Sequence, residues 1–301
     1  MSTDLFATVL DCNGRALTLD RPRVVGIINV TPDSFSDGGQ FADTEAAVAH
    51  GLRMAEEGAD MLDIGGESTR PGAADVSVAD ELQRVLPVIE QLIARTSLPI
   101  AIDTSKPEVM RAAVAAGAGM INDIYALRRE GALDAAAELR VPVCLMHMQG
   151  EPRSMQDAPH YDDVVGEVHR FLTDRLFACE LAGIDRRKVM VDPGFGFGKD
   201  LEHNLALLRR LERFGDLGSG VYVGLSRKSM IGTLTGREQA ADRAAGSVAA
   251  ALIAVQRGAR MVRVHDVAAS VDALKVWHAV QSGDQPERRD TPTMPRWPDD
   301  D

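Results

Sequence analysis

The chain has 301 residues, of which 45% are hydrophobic, 26% charged and only 4% aromatic. This is ordinary globular composition with enough apolar material for a large core. Its 45 acidic and 33 basic side chains give a formal net charge of −12 with no basic block, which argues against nucleic-acid or anionic-membrane partners.

Residues 5–19 read as a hairpin turning at Asn13-Gly14, a pair that supplies the positive φ of a tight hairpin turn. From Val24 onward, short runs of β-branched and apolar residues alternate with amphipathic stretches. The runs predict strands near 24–30, 59–65, 99–104, 119–124, 141–147, 188–193, 221–226 and 260–266. They are nearly continuously hydrophobic, as in parallel sheets covered on both faces. Helices are predicted near 43–57, 78–95, 106–117, 130–140, 161–182, 201–214, 239–257 and 267–280. About eight strand–helix units point to one (β/α)₈ TIM barrel over 24–281, with a doubly wound open sheet as the alternative. Residues 1–23 are expected to pack on it as a hairpin, and 282–301, rich in Pro, Asp and Arg, to form a disordered tail. The alanine-rich helix at 239–257 can approach closely either the barrel or a second subunit.

Cys12, Cys144 and Cys179 are far apart and lack metal-like spacing, so they are expected to be reduced, buried thiols. The segment Met1-Ser2-Thr3-Asp4 has no leader pattern, and no apolar run reaches the ~18 residues of a membrane span. A cytoplasmic protein is the expectation.

The strand ends are where the chemistry gathers, as they do on the C-terminal face of such barrels. Asn29 and Thr31 follow the first strand; Glu67, Ser68, Thr69 and Arg70 the second; Asp103 ends the third, and Asn122 and Asp123 the fourth. His147 ends the fifth, Asp192 and Lys199 follow the sixth, Ser226, Arg227 and Lys228 the seventh, and Arg263, His265 and Asp266 the eighth. Arg263 and His265 alternate onto one face and could hold a diphosphate through charge-assisted hydrogen bonds, or act as an ordinary capping pair. Asp103, Asn122 and Asp192 could read the donor–acceptor edge of an aminopyrimidine-like ring, although Asp103 also suits an N-cap on the next helix. Asn29 could equally satisfy neighbouring backbone groups, and Thr69 and Arg70 could belong to a solvated loop tip. The segment DPGFGFGK (192–199) matches neither dinucleotide nor P-loop patterns. Its glycines are expected to bring backbone close to a flat ligand, with Phe197 stacking nearby. His147 has no metal partner in the sequence and reads as a satisfied strand-end histidine.

Taken together, NVTPDSFSDGG (29–39), GGESTRPG (65–72), IDTSKPEV (102–109), INDI (121–124), DPGFGFGK (192–199), GLSRKS (224–229) and RVHDV (263–267) resemble the dihydropteroate synthase family from about Val24 to Leu274. The resemblance implies a transferase of folate biosynthesis that joins 6-hydroxymethyl-7,8-dihydropterin pyrophosphate to p-aminobenzoate, releasing pyrophosphate. It implies a pterin site of Asp103, Asn122, Met146, Asp192 and Lys228, and a pyrophosphate site of Asn29, Thr69, Arg70, Arg263 and His265, with Mg²⁺ at Asn29. Phe35, Thr69, Pro71, Phe197, Ser226 and Lys228 would shape the p-aminobenzoate pocket; Lys228, Arg263, His265 and Asp103 would be catalytic. A homodimer and inhibition by sulfonamides follow from the same likeness. A methyltetrahydrofolate-dependent methyltransferase would share the pterin barrel without needing Arg263-x-His265 as a clamp. A pterin-binding module without turnover would carry the same strings, and a Schiff-base aldolase would use Lys199 or Lys228.

Overall fold

The computed structural model describes residues 9–31, 39–68, 75–152 and 154–282. The expectations placed on Phe35, Thr69, Arg70, Pro71 and the tail beyond Ser282 lie outside the described residues.

A hairpin of β1 (Val9–Cys12) and β2 (Arg15–Thr18) comes first, turning through Asn13 (φ 56°) and Gly14 (φ 82°). Eight strands follow: β3 (Arg23–Asn29), β4 (Met61–Gly65), β5 (Ile100–Asp103), β6 (Met120–Asp123), β7 (Val143–Met146), β8 (Val189–Asp192), β9 (Gly220–Val223) and β10 (Ala259–Val264). They pair in parallel in chain order, and β10 closes the ring between β9 and β3. That closure rules out the open doubly wound sheet.

The surrounding helices are α1 (Gly39–Glu56), α2 (Val78–Arg95), α3 (Pro107–Ala115), α4 (Ala132–Leu139), α5 (Val164–Leu181), α6 (Leu201–Arg209), α7 (Ser229–Thr235), α8 (Ala244–Gln256) and α9 (Val267–Ser282). Three differ from expectation. The helix predicted over 201–214 stops at Arg209, and Leu211–Leu217 continues as a 3₁₀ turn. Leu211, Phe214 and Leu217 are buried at three-residue spacing, which suits three residues per turn better than 3.6. The 239–257 helix begins as a 3₁₀ turn at Ala240–Arg243 before α8, because the Arg243 guanidinium folds back onto the carbonyls of Arg227, Arg237 and Glu238. Helix α7 was not expected: its seven residues, SMIGTLT, include Gly and two Thr, poor helix formers. It ends on Gly236 at φ 68°, a left-handed cap.

Strand alternation produces two cores. Outward residues such as Ile28, Ile64, Ile102, Val143 and Val191 meet the helices. Inward, each strand gives one residue to a second cluster: Val25, Met61, Ala101, Met120, Cys144, Met190, Tyr222 and Met261. Leu10, Cys12, Leu17 and Leu19 of the hairpin segment join this cluster and plug the barrel at its N-terminal end. The plug is fastened by Arg15, which donates to the carbonyls of Ile93, Thr96 and Leu98, each at 2.7 Å. Asn13 donates to the Val114 and Ala118 carbonyls. Gly119 is required at this contact, since a Cβ there would sit 2.3 Å from the Cys12 carbonyl oxygen. All three cysteines are free and buried, as expected.

Candidate active site

Two residues beyond the apolar inner cluster, the strand period of two brings the next inward side chains to the C-terminal end. From Met61, Ala101, Met120, Cys144, Met190 and Met261 this gives Asp63, Asp103, Asn122, Met146, Asp192 and Arg263. Four of them are hydrogen-bonded together. Arg263 donates through Nη2 to Asp103 Oδ2 at 2.8 Å and through Nε to Asp63 Oδ2. The same Asp63 oxygen accepts from Asn122 Nδ2 at 3.0 Å. Asp103 therefore does not cap α3, whose N-cap is Lys106 without a side-chain bond.

The neighbouring Asp123 points the other way and serves the fold. It accepts from Ser105 Oγ and from the backbone N–H groups of Tyr125 (2.9 Å) and Leu127 (2.7 Å). These bonds hold a turn in which Ala126 and Leu127 have positive φ.

Burial sets the electrostatics. It is the largest influence on Asp103, raising its carboxyl to about 7 against the opposing pull of Arg263, and on Asp192, raised to about 6. Asp192 Oδ1 accepts the Gly194 N–H at 2.7 Å. Burial also lowers Lys228 to about 8, while nearby Asp192 pulls it back up. The Lys228 ammonium lies 4.0 Å from the centroid of Phe197, a cation–π distance. Met146 and Phe197 share a buried apolar wall with Ile124, Tyr125, Met148 and Met155.

The loop after β9 is pinned at Arg227, which has φ 59°. Its N–H donates to Ser247 Oγ at 2.8 Å, and its guanidinium makes a two-point ion pair with Asp266. Arg227 is thus committed to the scaffold, while Ser226 and Lys228 on either side are presented to the site. Ser226 Oγ accepts the His265 backbone N–H at 3.1 Å and lies 3.0 Å from His265 Nδ1. Burial first, then Arg263, pushes His265 down to about 3, so its ring is neutral. A neutral ring whose Nδ1 receives the serine proton offers Nε2–H as a donor.

DPGFGFGK departs from expectation. Gly194 and Gly198 have positive φ, and a Cβ would lie 1.9 Å from the His147 carbonyl oxygen and 2.4 Å from that of Gln149. These two glycines let the chain approach itself; at Gly196 the nearest atom would be the Lys228 side chain. Lys199 is also spent here. Its buried ammonium reaches His147 Nδ1 at 3.0 Å and the carbonyls of Gly194 and Phe197, each at 2.9 Å. Its three donors are thereby matched, which leaves no free amine for a Schiff base and makes His147 the satisfied histidine expected.

Asn29 ends β3 beside Gly65 of β4. Among the described residues, no group of three or more His, Cys, Asp or Glu is disposed to hold a metal ion. A pocket of about 450 Å³ opens beside Asp103, lined also by Glu67, Ser68, Lys106, Tyr125 and Glu151. Lys106 bridges Glu67 and the fully buried Glu81, and Glu67 accepts the Val76 N–H at 3.0 Å.

Residues 25–265 match the family model described as pterin binding enzyme. Dihydropteroate synthase of Escherichia coli (strain K12) is 52% identical over 279 residues, covering 93% of this chain and 99% of that relative. The chain belongs to the dihydropteroate synthase family. The solved structure of Xanthomonas albilineans dihydropteroate synthase with 4-aminobenzoic acid is 68% identical, with a TM-score of 0.88 over 92% of this chain and 99% of that one. The same enzyme in complex with 7,8-dihydropteroate matches at 66% identity and TM-score 0.84, over 91% of this chain and 99% of that one.

Within this synthase family member, Asp103, Asn122, Met146, Asp192, Lys228, Arg263 and Phe197 converge, with Ser226 and His265 bonded to each other nearby. Asp63 was not singled out from the sequence. The signal was present: one aspartate inside the otherwise apolar strand MLDIG, where a buried charge requires a partner.

Proposed function

We propose that the chain condenses 6-hydroxymethyl-7,8-dihydropterin pyrophosphate with p-aminobenzoate, forming 7,8-dihydropteroate and pyrophosphate. The observation that carries this reading is the convergence of Asp103, Asn122, Asp192 and Lys228 with Arg263 at one end of the barrel. Asp103, Asn122 and Asp192 accept from the ring's amino and N–H groups, Lys228 donates to its acceptors, and Met146 contributes to the apolar wall. Arg263, whose Nη1 makes none of its carboxylate bonds, and His265 Nε2–H face the diphosphate together with Asn29, Thr69 and Arg70. Phe197, Ser226 and Lys228, with Phe35, Thr69 and Pro71, form the p-aminobenzoate pocket, which sulfonamides would compete for.

In the reaction the methylene C–O bond breaks, its electron pair leaves with pyrophosphate, and the aniline nitrogen forms the new C–N bond and loses a proton. The electron-rich ring can carry the positive charge at the methylene, so stabilising the departing anion is the main demand on the protein. Arg263, His265 and Lys228 meet it with fixed donors, and Asp103 holds Arg263 in place. Among the described residues no acidic cluster would hold a resident ion; Asn29 would offer an amide oxygen to a Mg²⁺ that accompanies the diphosphate. Such an ion would supply charge neutralisation to the leaving group.

We further propose a homodimer. Leu234 on α7, Ile253 on α8, and Val276 and Val280 on α9 are exposed aliphatic side chains on successive helices, and light scattering tests the pairing. No described helix is long and apolar enough to cross a membrane; the three free thiols favour a reducing cytoplasm.

The deciding assay supplies both substrates and follows pyrophosphate release. Release that requires p-aminobenzoate and collapses in Asp192→Asn is expected. No release, or equal release by the variant, would sink the reading.

A further inference from the structure

Asp63 stands in the middle of β4 and is completely buried. One of its oxygens accepts from two residues at once, Asn122 Nδ2 at 3.0 Å and Arg263 Nε. The oxygen that accepts from Arg263 Nε has a second lone pair to offer Asn122. Whichever end of the Asn122 amide faces it must therefore be the nitrogen. The amide oxygen is then turned away from Asp63, and among the described residues it accepts no hydrogen bond.

We infer that Asp63 is a positioning residue that locks the Asn122 amide in one orientation, with one N–H on Asp63 and the oxygen toward the ligand. This rests on the pterin reading above and deepens it. Asp103, Asp192 and the Asn122 oxygen then present acceptors, while Lys228 and the second Asn122 N–H are the donors facing the ring. Such a set favours a ring edge that carries an amino group and ring N–H groups. It rejects the near-isosteric ring in which oxygen replaces the amino group, because acceptor would face acceptor in a dry site. Without Asp63 the amide could rotate by half a turn and donate where its oxygen now accepts, so the penalty against the 2-oxo ring would fall.

A competing role for Asp63, merely balancing the charge of Arg263, makes a different prediction. Asp63→Asn can keep an oxygen where Oδ2 now accepts, so it retains the lock while removing the charge. Asp63→Ala removes both. The measurement is calorimetric affinity for 6-hydroxymethyl-7,8-dihydropterin and for its 2-oxo counterpart, with thermal unfolding of each variant alongside. The wild type should prefer the amino ring by at least ~100-fold, as sites built to hydrogen-bond a ligand N–H reject analogues lacking it. In Asp63→Ala the preference should shrink to about tenfold or less, while Asp63→Asn should keep most of it.

A folded Asp63→Ala protein with full preference would overturn the inference, as would an Asp63→Asn protein that loses it as completely as Asp63→Ala. Should the alanine variant not fold, the wild type still decides. Of the two Asn122 side-chain amide protons, assigned by their loss in Asn122→Ser, the one held by Asp63 should move little when the pterin alcohol binds. Large shifts of both amide protons would show that the Asp63 bond is given up and overturn the lock. A wild type that binds neither ring would instead refute the pterin reading itself. One that binds both rings equally would refute the lock and leave pterin binding standing.

Discussion

The same eight strands build two barrel interiors that differ in almost every physical respect. The N-terminal half is filled by Val25, Met61, Ala101, Met120, Cys144, Met190, Tyr222 and Met261 under a hairpin plug. Two residues further along, the inward positions carry Asp63, Asp103, Asn122, Asp192 and Arg263. The lower half contributes stability by removing apolar surface from water. In the upper half burial works against charge: it raises Asp103 and Asp192 and lowers Lys228 and His265. The polar end is thus held in a conformation that is electrostatically unfavourable until a ligand supplies the missing partners. A parallel barrel can tolerate this because its lower half and helical shell carry the fold.

The largest effect should come from breaking the upper half alone. Asp192→Asn is expected to lower kcat/KM by roughly 10- to 150-fold, the cost of losing a charged hydrogen-bond partner in a closed site. It should also stabilise the ligand-free protein. The folded pKa of Asp192, about 6, lies above the ordinary carboxylate value, so the native state holds a proton that the unfolded chain has released. The wild type accordingly loses stability as pH rises from about 4 to 6, and stays penalised above that window. Urea unfolding should find the variant more stable at pH 7.5 by on the order of 2 kcal/mol, with no difference at pH 3.5. A variant that is less stable at pH 7.5 would contradict the division of labour.

Breaking the lower half should do the reverse. Gly119→Val places a Cβ against the Cys12 carbonyl, so the hairpin must shift, and overpacking of this kind costs ~1–3 kcal/mol. Arg15→Ala removes three donations to backbone carbonyls and should cost about 1.5–2 kcal/mol, since the site is only partly buried. Both variants should unfold at lower urea concentration and yet, assayed well below their melting temperatures, keep kcat/KM within about twofold of wild type, as distant sites contribute additively. A tenfold loss in either would mean that the plug governs the site's geometry.

This contrast also explains what the sequence makes legible. The eight strands stand out because parallel strands are apolar on both faces, and Asp103, Asn122, Asp192 and Arg263 because each breaks such a run at its polar end. Asp63 breaks β4 from inside, so a search of strand ends passes over it, and its partners Asn122 and Arg263 lie 59 and 200 residues away. Lys199 looked available because its partners are mostly backbone carbonyls of Gly194 and Phe197, which side-chain chemistry does not advertise. The glycines of DPGFGFGK looked ligand-directed for the same reason, since the carbonyls of His147 and Gln149 they avoid belong to a neighbouring segment. Helix α7 escaped because seven residues with a glycine carry too little helical pattern.

The smallest expected effect tests how the polar end handles the leaving group. His265 is neutral in the free protein, pushed down to about 3 chiefly by burial and then by Arg263. Ser226 Oγ accepts its backbone N–H and can give its own hydrogen to Nδ1; in that tautomer Nε2–H is the ring's only donor. A single neutral donor to a charged oxygen should contribute about 1–1.5 kcal/mol, so His265→Ala should weaken the pyrophosphate ester about tenfold. The corresponding alcohol, which lacks the diphosphate, should lose about twofold at most. Because even an anion that raises the ring by two units leaves it titrating near pH 5, the wild-type-to-variant affinity ratio should be the same at pH 6.5 and pH 8. A ratio that climbs steeply towards pH 6.5 would reveal a charged imidazolium in the complex. Equal losses for ester and alcohol would remove His265 from the diphosphate site and confine it to holding Ser226.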